Sequence, residues 1–215
     1  MIASIRLVAL AILPIVLGAV LIALAPYHAG LAENGDALSS GAPGQTWQEK
    51  EAQANRSQVL ASLYERLGQA ENAENAAPIA RTIEELWLTS GSDTVDVLMS
   101  RVFTLVQGKN YGQAIEILDS ITSIAPDFAE GWNQRATVYF LKRDYDRSLK
   151  DLRQVLALDS SHFKAINGLA LILQELGDKS AALKAYRKAL EVHPHLGGAS
   201  QAIKELEREV EGQGI

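Results

Sequence analysis

The chain has 215 residues, of which 47% are hydrophobic but only 6% aromatic, and its formal net charge is -6. A sequence rich in Ala, Leu and Glu and poor in aromatic residues favours an all-helical fold over a β-sandwich. The acidic balance, with no segment that concentrates Lys and Arg, argues against a nucleic acid partner. The chain has no cysteine, which excludes disulfides and thiolate metal sites.

The N-terminal segment has the pattern of an export signal. Arg6 precedes an apolar run from Leu7 to Ala25 that is interrupted by Pro14. Two interpretations stay open. The segment is either a signal peptide cleaved after Ala32, where Gly30 and Ala32 are the small residues that a signal peptidase requires, or an uncleaved inner-membrane anchor. In both cases we expect the rest of the chain in a bacterial periplasm.

The next two segments precede any repeat. Residues 33–56 contain several Gly and polar residues without sustained periodicity, which predicts a flexible tether. Residues 57–93 predict two helices, with Leu63 and Leu67 on one face of the first and Ile83 on one face of the second. We interpret this pair as a degenerate repeat that caps the N-terminal end of an array, because solenoids need covered ends.

A period of 34 residues then follows. Ala114, Ser148 and Ala182 are spaced by that amount, and each is small. Small side chains let two antiparallel helices approach closely, while large flanking residues fill the neighbouring grooves. The same frame aligns three further sets: Leu98, Trp132 and Ile166; Val102, Ala136 and Ala170; Pro126, Ser160 and Pro194.

This pattern resembles the tetratricopeptide repeat (TPR) family, whose helix-turn-helix unit has large, small and aromatic residues at fixed positions and a proline near its end. The middle unit carries Trp132, Ala136, Tyr139 and Ser148 at these positions, although Ser160 replaces the proline. The resemblance implies an all-α solenoid, a right-handed superhelix of repeats. The repeats would occupy 94–127, 128–161 and 162–195, followed by a closing helix within 196–215.

Two arginines depart from the family pattern. Arg101 and Arg135 occupy a position that is usually leucine. We expect them to reach the surface or to form structural ion pairs, with acids such as Asp96 or Glu116 as partners, rather than to contact a ligand.

The resemblance also implies a partner-binding face, because the first helix of each TPR unit lines a concave surface. The residues that it places there are Phe103, Asn133, Thr137, Phe140, Lys164, Asn167, Leu171 and Gln174. Amides such as Asn133 and Asn167 can bond both edges of a peptide backbone. With Asp96 and Glu130 nearby, we do not expect a clamp for a C-terminal carboxylate. The alternative for any apolar residue in this set is that it only packs between helices.

The sequence shows no set of residues that would form a catalytic or metal-binding site. His193-Pro194-His195 comes nearest to a metal motif, but it lacks a third ligand, and we interpret it and His162 as ordinary turn residues. We therefore predict a non-enzymatic scaffold or adaptor of the bacterial cell envelope that needs no cofactor or metal and binds a protein or peptide. The alternative is a self-associating, membrane-anchored structural subunit.

Overall fold

The structure, a computed structural model, describes residues 47–211. The predicted signal or anchor, the first part of the tether and the last four residues lie outside this range. None of the helices within 47–211 is long and apolar enough to cross a bilayer. The helices are α1 (Trp47–Gly68), α2 (Ala73–Leu88), α3 (Asp93–Gln107), α4 (Tyr111–Ile124), α5 (Ala129–Leu141), α6 (Tyr145–Leu158), α7 (Phe163–Glu175), α8 (Lys179–Val192) and α9 (Ala199–Glu211).

Helices α3 to α8 form three successive hairpins, α3/α4, α5/α6 and α7/α8. The small residues Ala114, Ser148 and Ala182 lie on the second helix of each hairpin and are at most 1% exposed. The Ser148 hydroxyl donates to the carbonyl of Ala136 at 2.7 Å, so its polar group is satisfied inside the contact. Helix α9 packs on α8. The predicted all-α array of helix hairpins is confirmed.

The turns inside the three hairpins share one backbone geometry. Lys109, Arg143 and Gly177, spaced by the repeat period, have φ values of 57°, 59° and 82°. The N–H group of the next residue donates in each case to the carbonyl five residues earlier, as Asp144 does to Tyr139 at 2.9 Å. This bond belongs to a helix-ending motif that favours glycine in the left-handed position. Only the third turn has that glycine.

Arg135 joins three helices at the contact between the first two hairpins. Its guanidinium donates to both carboxylate oxygens of Asp151 on α6 at 2.8 Å and to Asp119 on α4 at 2.7 Å. It also lies over the ring of Trp132, 4.7 Å from the centroid. The hydrogen bonds to Asp151 are the main reason that the pKa of Arg135 is raised. Arg135 therefore forms structural ion pairs, but with Asp151 and Asp119 rather than with Asp96 or Glu116.

The outer face of α3 is the first end of the array, and its chemistry differs from that of the later repeats. Val97 is 69% exposed, and Arg101 and Thr104 on the same side are exposed too. The residues at the position of Thr104 in the next two repeats are Val138 and Ile172, which are at most 1% exposed between hairpins. Apart from Val97, the exposed side chains of α3 are small or polar, so water can solvate this end.

The predicted N-terminal cap is wrong in its placement. Helices α1 and α2 do form a hairpin, and Ala76 and Ala80 on α2 are buried. The main contacts of this hairpin with the array, however, are to α5 and α8 rather than to α3. Its apolar side packs against Phe163, Val192 and Leu196. Packing on this surface buries apolar side chains of the hairpin, whereas the end of α3 has little apolar surface to bury.

The prediction of a flexible tether up to residue 56 also needs correction, since α1 begins at Trp47. The stretch from Gln48 to Gln53 consists of Glu, Lys, Ala and Gln, which favour helix without creating an apolar stripe. Hydrophobic periodicity, on which the prediction depended, does not detect such a helix.

Candidate binding groove

A groove with a volume of about 290 Å³ lies between α5 and α7, the first helices of the second and third hairpins. Its lining is mostly apolar, with two amides, two hydroxyls and a single charged side chain. The lining residues are Asn133, Ala136, Thr137, Phe140, Leu141, Ser148, Leu152, Lys164, Asn167, Gly168, Leu171 and Ile172.

Six of the eight residues predicted for the partner-binding face line this groove: Asn133, Thr137, Phe140, Lys164, Asn167 and Leu171. The other two lie elsewhere. Phe103 is half-buried and packs against the core of the α3/α4 hairpin. Gln174 is exposed and accepts a hydrogen bond from the Tyr186 hydroxyl at 2.9 Å. A role in binding stays a prediction for all eight.

The walls of the groove keep large apolar side chains open to solvent. Leu171 is 38% exposed and Leu141 45% exposed, although both are leucines. The ring of Phe140 packs on Tyr145 with centroids 5.8 Å apart, which fixes its position in the wall. Exposed apolar side chains around a concavity are typical of a binding surface.

Gly168 forms part of the floor, and the fold does not require a glycine there. A Cβ built on Gly168 would lie 3.7 Å from both δ-carbons of Leu152, an ordinary van der Waals contact. Gly131 differs, because its Cβ would lie 2.9 Å from Ile121 Cγ2, where there is no room. A glycine in a helix interior costs about 0.8–1 kcal/mol relative to alanine. The chain carries this cost at Gly168 with no steric need for it.

The two asparagines in the groove have unused hydrogen-bonding capacity. Asn133 is buried, and its amide nitrogen donates to Glu130 Oε2 at 3.1 Å, while its amide oxygen accepts no side-chain bond within 47–211. The Asn167 side chain is half-buried and makes no hydrogen bond to the described residues. Both amides can therefore bond a polypeptide backbone.

Lys164 is the charged residue of the lining, and α2 supplies its counter-ion. The Lys164 ammonium lies 2.8 Å from Glu84 Oε2, and both side chains are partly exposed. This pair leaves no unbalanced positive charge in the groove. The arrangement does not favour a carboxylate ligand.

An aromatic and polar cluster holds α2 beside the groove. The ring of Trp87 stacks on His162 with centroids 3.7 Å apart, and its indole N–H donates to the Tyr64 hydroxyl at 3.1 Å. Tyr64 donates in turn to Asp159 Oδ2 at 2.5 Å. Burial and the neighbouring Asp159 carboxylate raise the pKa of Tyr64. The cluster joins the N-terminal hairpin to the loop between α6 and α7.

His162, which we interpreted as an ordinary turn residue, is fully buried in this cluster. Its Nδ1 accepts from the Ala165 N–H at 3.2 Å and so caps the start of α7. The proton is therefore on Nε2, which donates to Glu130 Oε2 at 3.2 Å. Local sequence gave no signal for this role, because it depends on Trp87, which is 75 positions away along the chain.

The two histidines of the motif 193–195 also face the N-terminal hairpin. His195 Nε2 donates to the carbonyl of Ala70 at 2.8 Å. His193 is 7% exposed and lies edge-on to Phe163, and burial lowers its pKa. Together with the Tyr64–Asp159 bond and the packing of α2 on α5, these contacts place the hairpin along the array from α5 to the end of α8.

Comparisons with known proteins give the class of this fold. The family profile described as tetratricopeptide repeat matches residues 129–162 and 163–195. A TPR repeat-containing protein of Rhizobium etli is 31% identical over 165 residues, which cover 77% of this chain and 81% of that protein. The chain belongs to the tetratricopeptide repeat family.

Solved structures agree on the fold. The first TPR of Spaghetti (RPAP3), bound to the HSP90 peptide SRMEEVD, is similar with a TM-score of 0.53 and 20% identity, covering 54% of this chain and 93% of that one. A crystal structure of MamA has a TM-score of 0.52 and 18% identity, covering 79% of this chain and 86% of the other. At these identities the likeness concerns the fold.

Proposed function

We propose that the protein is a non-enzymatic scaffold that binds a segment of a partner polypeptide in the groove between α5 and α7. One observation carries the proposal: a solvent-open, mainly apolar groove that also holds Asn133 and Asn167, whose amides have bonding capacity left over. Apolar contacts supply affinity for a partner segment, and the amides fix its backbone.

The fold neighbours support a peptide partner. The related TPR domain of Spaghetti is bound to a peptide, and TPR domains in general serve as interaction modules rather than catalysts. Which partner is bound depends on the side chains of the groove. Here the groove has no unbalanced charge, because Glu84 pairs with Lys164. The similarity of fold supports the mode of binding, whereas the side chains of this chain determine which partner is bound.

The test is crosslinking in the cell that makes the protein, followed by mass spectrometry. The groove variant combines Asn133→Ala, Phe140→Ala and Asn167→Ala. The matched control combines Glu116→Ala, Lys150→Ala and Lys184→Ala, three exposed residues on the second helices of the hairpins. We expect one crosslinked protein to disappear with the groove variant and to remain with the control.

Thermal melting of both variants checks that the array stays folded. A partner set that is unchanged by the groove variant would contradict the proposal. Crosslinks only to further copies of this chain would favour the alternative of a self-associating structural subunit.

We also propose that the protein is exported and works in a bacterial cell envelope. The apolar run from Leu7 to Ala25, which follows Arg6, supports this location. A C-terminal fusion to alkaline phosphatase, which is active only after export, tests it. We expect activity that is lost when Leu10 and Leu13 are replaced by Asp, whereas full activity in that variant would contradict export by this segment.

A further inference from the structure

We infer that the groove accepts one large, uncharged apolar side chain of the partner in a socket whose floor is opened by Gly168. This inference rests on the proposed function and specifies its ligand chemistry. The name Gly168 socket is used for the space lined by Ala136, Phe140, Leu152, Gly168, Leu171 and Ile172.

The first step of the argument is the cost of the glycine. Gly168 is the sixth residue of α7, well inside the helix, and its φ is not in the left-handed region. A methyl group there would meet only Leu152, at 3.7 Å. Neither backbone conformation nor close packing therefore requires glycine. What the missing methyl does provide is access from the groove to the side chain of Leu152.

The second step is the chemistry of the walls. The six socket residues carry no polar side-chain atom; Leu171 is exposed to solvent and Phe140 is half-buried. Water in such a space makes few hydrogen bonds, so its displacement by an apolar group lowers the free energy of the complex.

The third step excludes a charged occupant. Lys164, the cation at the edge of the groove, already pairs with Glu84 at 2.8 Å. A carboxylate brought into the groove would lose its hydration and find no unpaired cation among the lining residues. An ammonium group would find no carboxylate among them either.

The fourth step is the placement of the amides. Asn133 lines the groove from α5 and Asn167 from α7, so the two helices that form the socket each bring one amide. A residue of an extended peptide fits this arrangement, because its side chain can enter the socket while the peptide groups before and after it bond to the two amides. N-acetyl-L-phenylalaninamide is the smallest such probe, since it has one large apolar side chain and two uncharged peptide groups.

The experiment titrates N-acetyl-L-phenylalaninamide into the isotope-labelled full chain and follows the side-chain amide signals of Asn133 and Asn167 by NMR. The α-amide of N-acetyl-L-aspartic acid, with a charged side chain, is the comparison probe. We expect saturable shifts with the phenylalanine probe and at least about tenfold weaker binding of the aspartate probe.

Two variants sharpen the test. Gly168→Ala places a methyl in the socket and should weaken binding of the phenylalanine probe about tenfold. The same change should raise the melting temperature by about 2–4 °C, because alanine favours helix. The control Gly112→Ala, in the first turn of α4 with nothing near its Cβ position, should leave binding unchanged.

Weaker binding in a more stable protein cannot come from damage to the fold. Equal binding by the wild type and Gly168→Ala, or preference for the aspartate probe, would overturn the inference. Absence of binding by the phenylalanine probe would overturn it as well. The proposed function fails separately, when the groove variant keeps all its crosslinked partners.

Discussion

The three hairpins of the array and the N-terminal hairpin are built alike but attached differently. Within the array, successive hairpins lie side by side, and the small residues Ala114, Ser148 and Ala182 mark the contacts inside each hairpin. The N-terminal hairpin instead lies along the inter-repeat loops, where Trp87 and Tyr64 reach His162 and Asp159. Repetition therefore determines the array, whereas a single set of long-range contacts determines the place of the N-terminal hairpin.

This difference predicts that the N-terminal hairpin can be detached while the array remains folded. Trp87→Ala removes a side chain that is 4% exposed and should cost about 3–5 kcal/mol of docking free energy. Hydrogen exchange should then rise in α1 and α2 and stay slow in α5 to α8. The control Leu88→Ala, at a neighbouring position that is 39% exposed, should change little. Unaltered exchange in α1 with Trp87→Ala would show that the cluster does not hold the hairpin.

The array should respond differently, because Arg135 links three of its helices by hydrogen bonds. Arg135→Met leaves the carboxylate of Asp151, which is 3% exposed, without its counter-ion and should destabilise the whole array by about 3–5 kcal/mol. The control Arg101→Met changes the same repeat position at the exposed end and should have an effect below about 0.5 kcal/mol. Urea unfolding measures both. Equal losses for the two variants would mean that the ion pairs of Arg135 are not structural.

The sequence predicted the array well because the information is local and repeated. Small residues every 34 positions indicate the helix hairpins, and the resemblance to the TPR family identifies six of the residues that line the groove. The helix pair within 57–93 was predicted, but its placement was not, because nothing within α1 or α2 specifies Phe163 or His162 as a neighbour. The groove floor was missed too, because the cost of Gly168 becomes visible only when the distance to Leu152 is known.

The turns provide a smaller test of the repeat. Arg143 has a φ of 59°, a region in which a residue with a Cβ is strained by about 1 kcal/mol. Gly177 occupies the same position in the next repeat without strain. Arg143→Gly should therefore stabilise the protein by up to about 1 kcal/mol, and Gly177→Ala should destabilise it. Denaturant midpoints decide, and a loss of stability in Arg143→Gly would show that the Arg143 side chain contributes more than its backbone costs.

The smallest expected effect is a pH dependence at the contact with the N-terminal hairpin. Burial lowers the pKa of His193, and the nearby His195 also disfavours its charged form, whereas Glu84 favours it. The folded state therefore binds fewer protons at His193 than the unfolded state, so stability falls as the pH drops below about 6.5 and through the folded pKa. His193→Asn should flatten the melting temperature between pH 7 and pH 5. An equally steep profile in the variant would assign the effect to other groups.

The contacts of the N-terminal hairpin with α5 and with the two later loops have a mechanical consequence. A solenoid whose repeats contact only their neighbours can bend at each interface between repeats. A helix hairpin that packs on α5 and is hydrogen-bonded at Asp159 and His195 limits that bending, so the spacing between α5 and α7 is set before any partner binds. Less conformational entropy is then lost on association, and even a short segment can be held with useful strength.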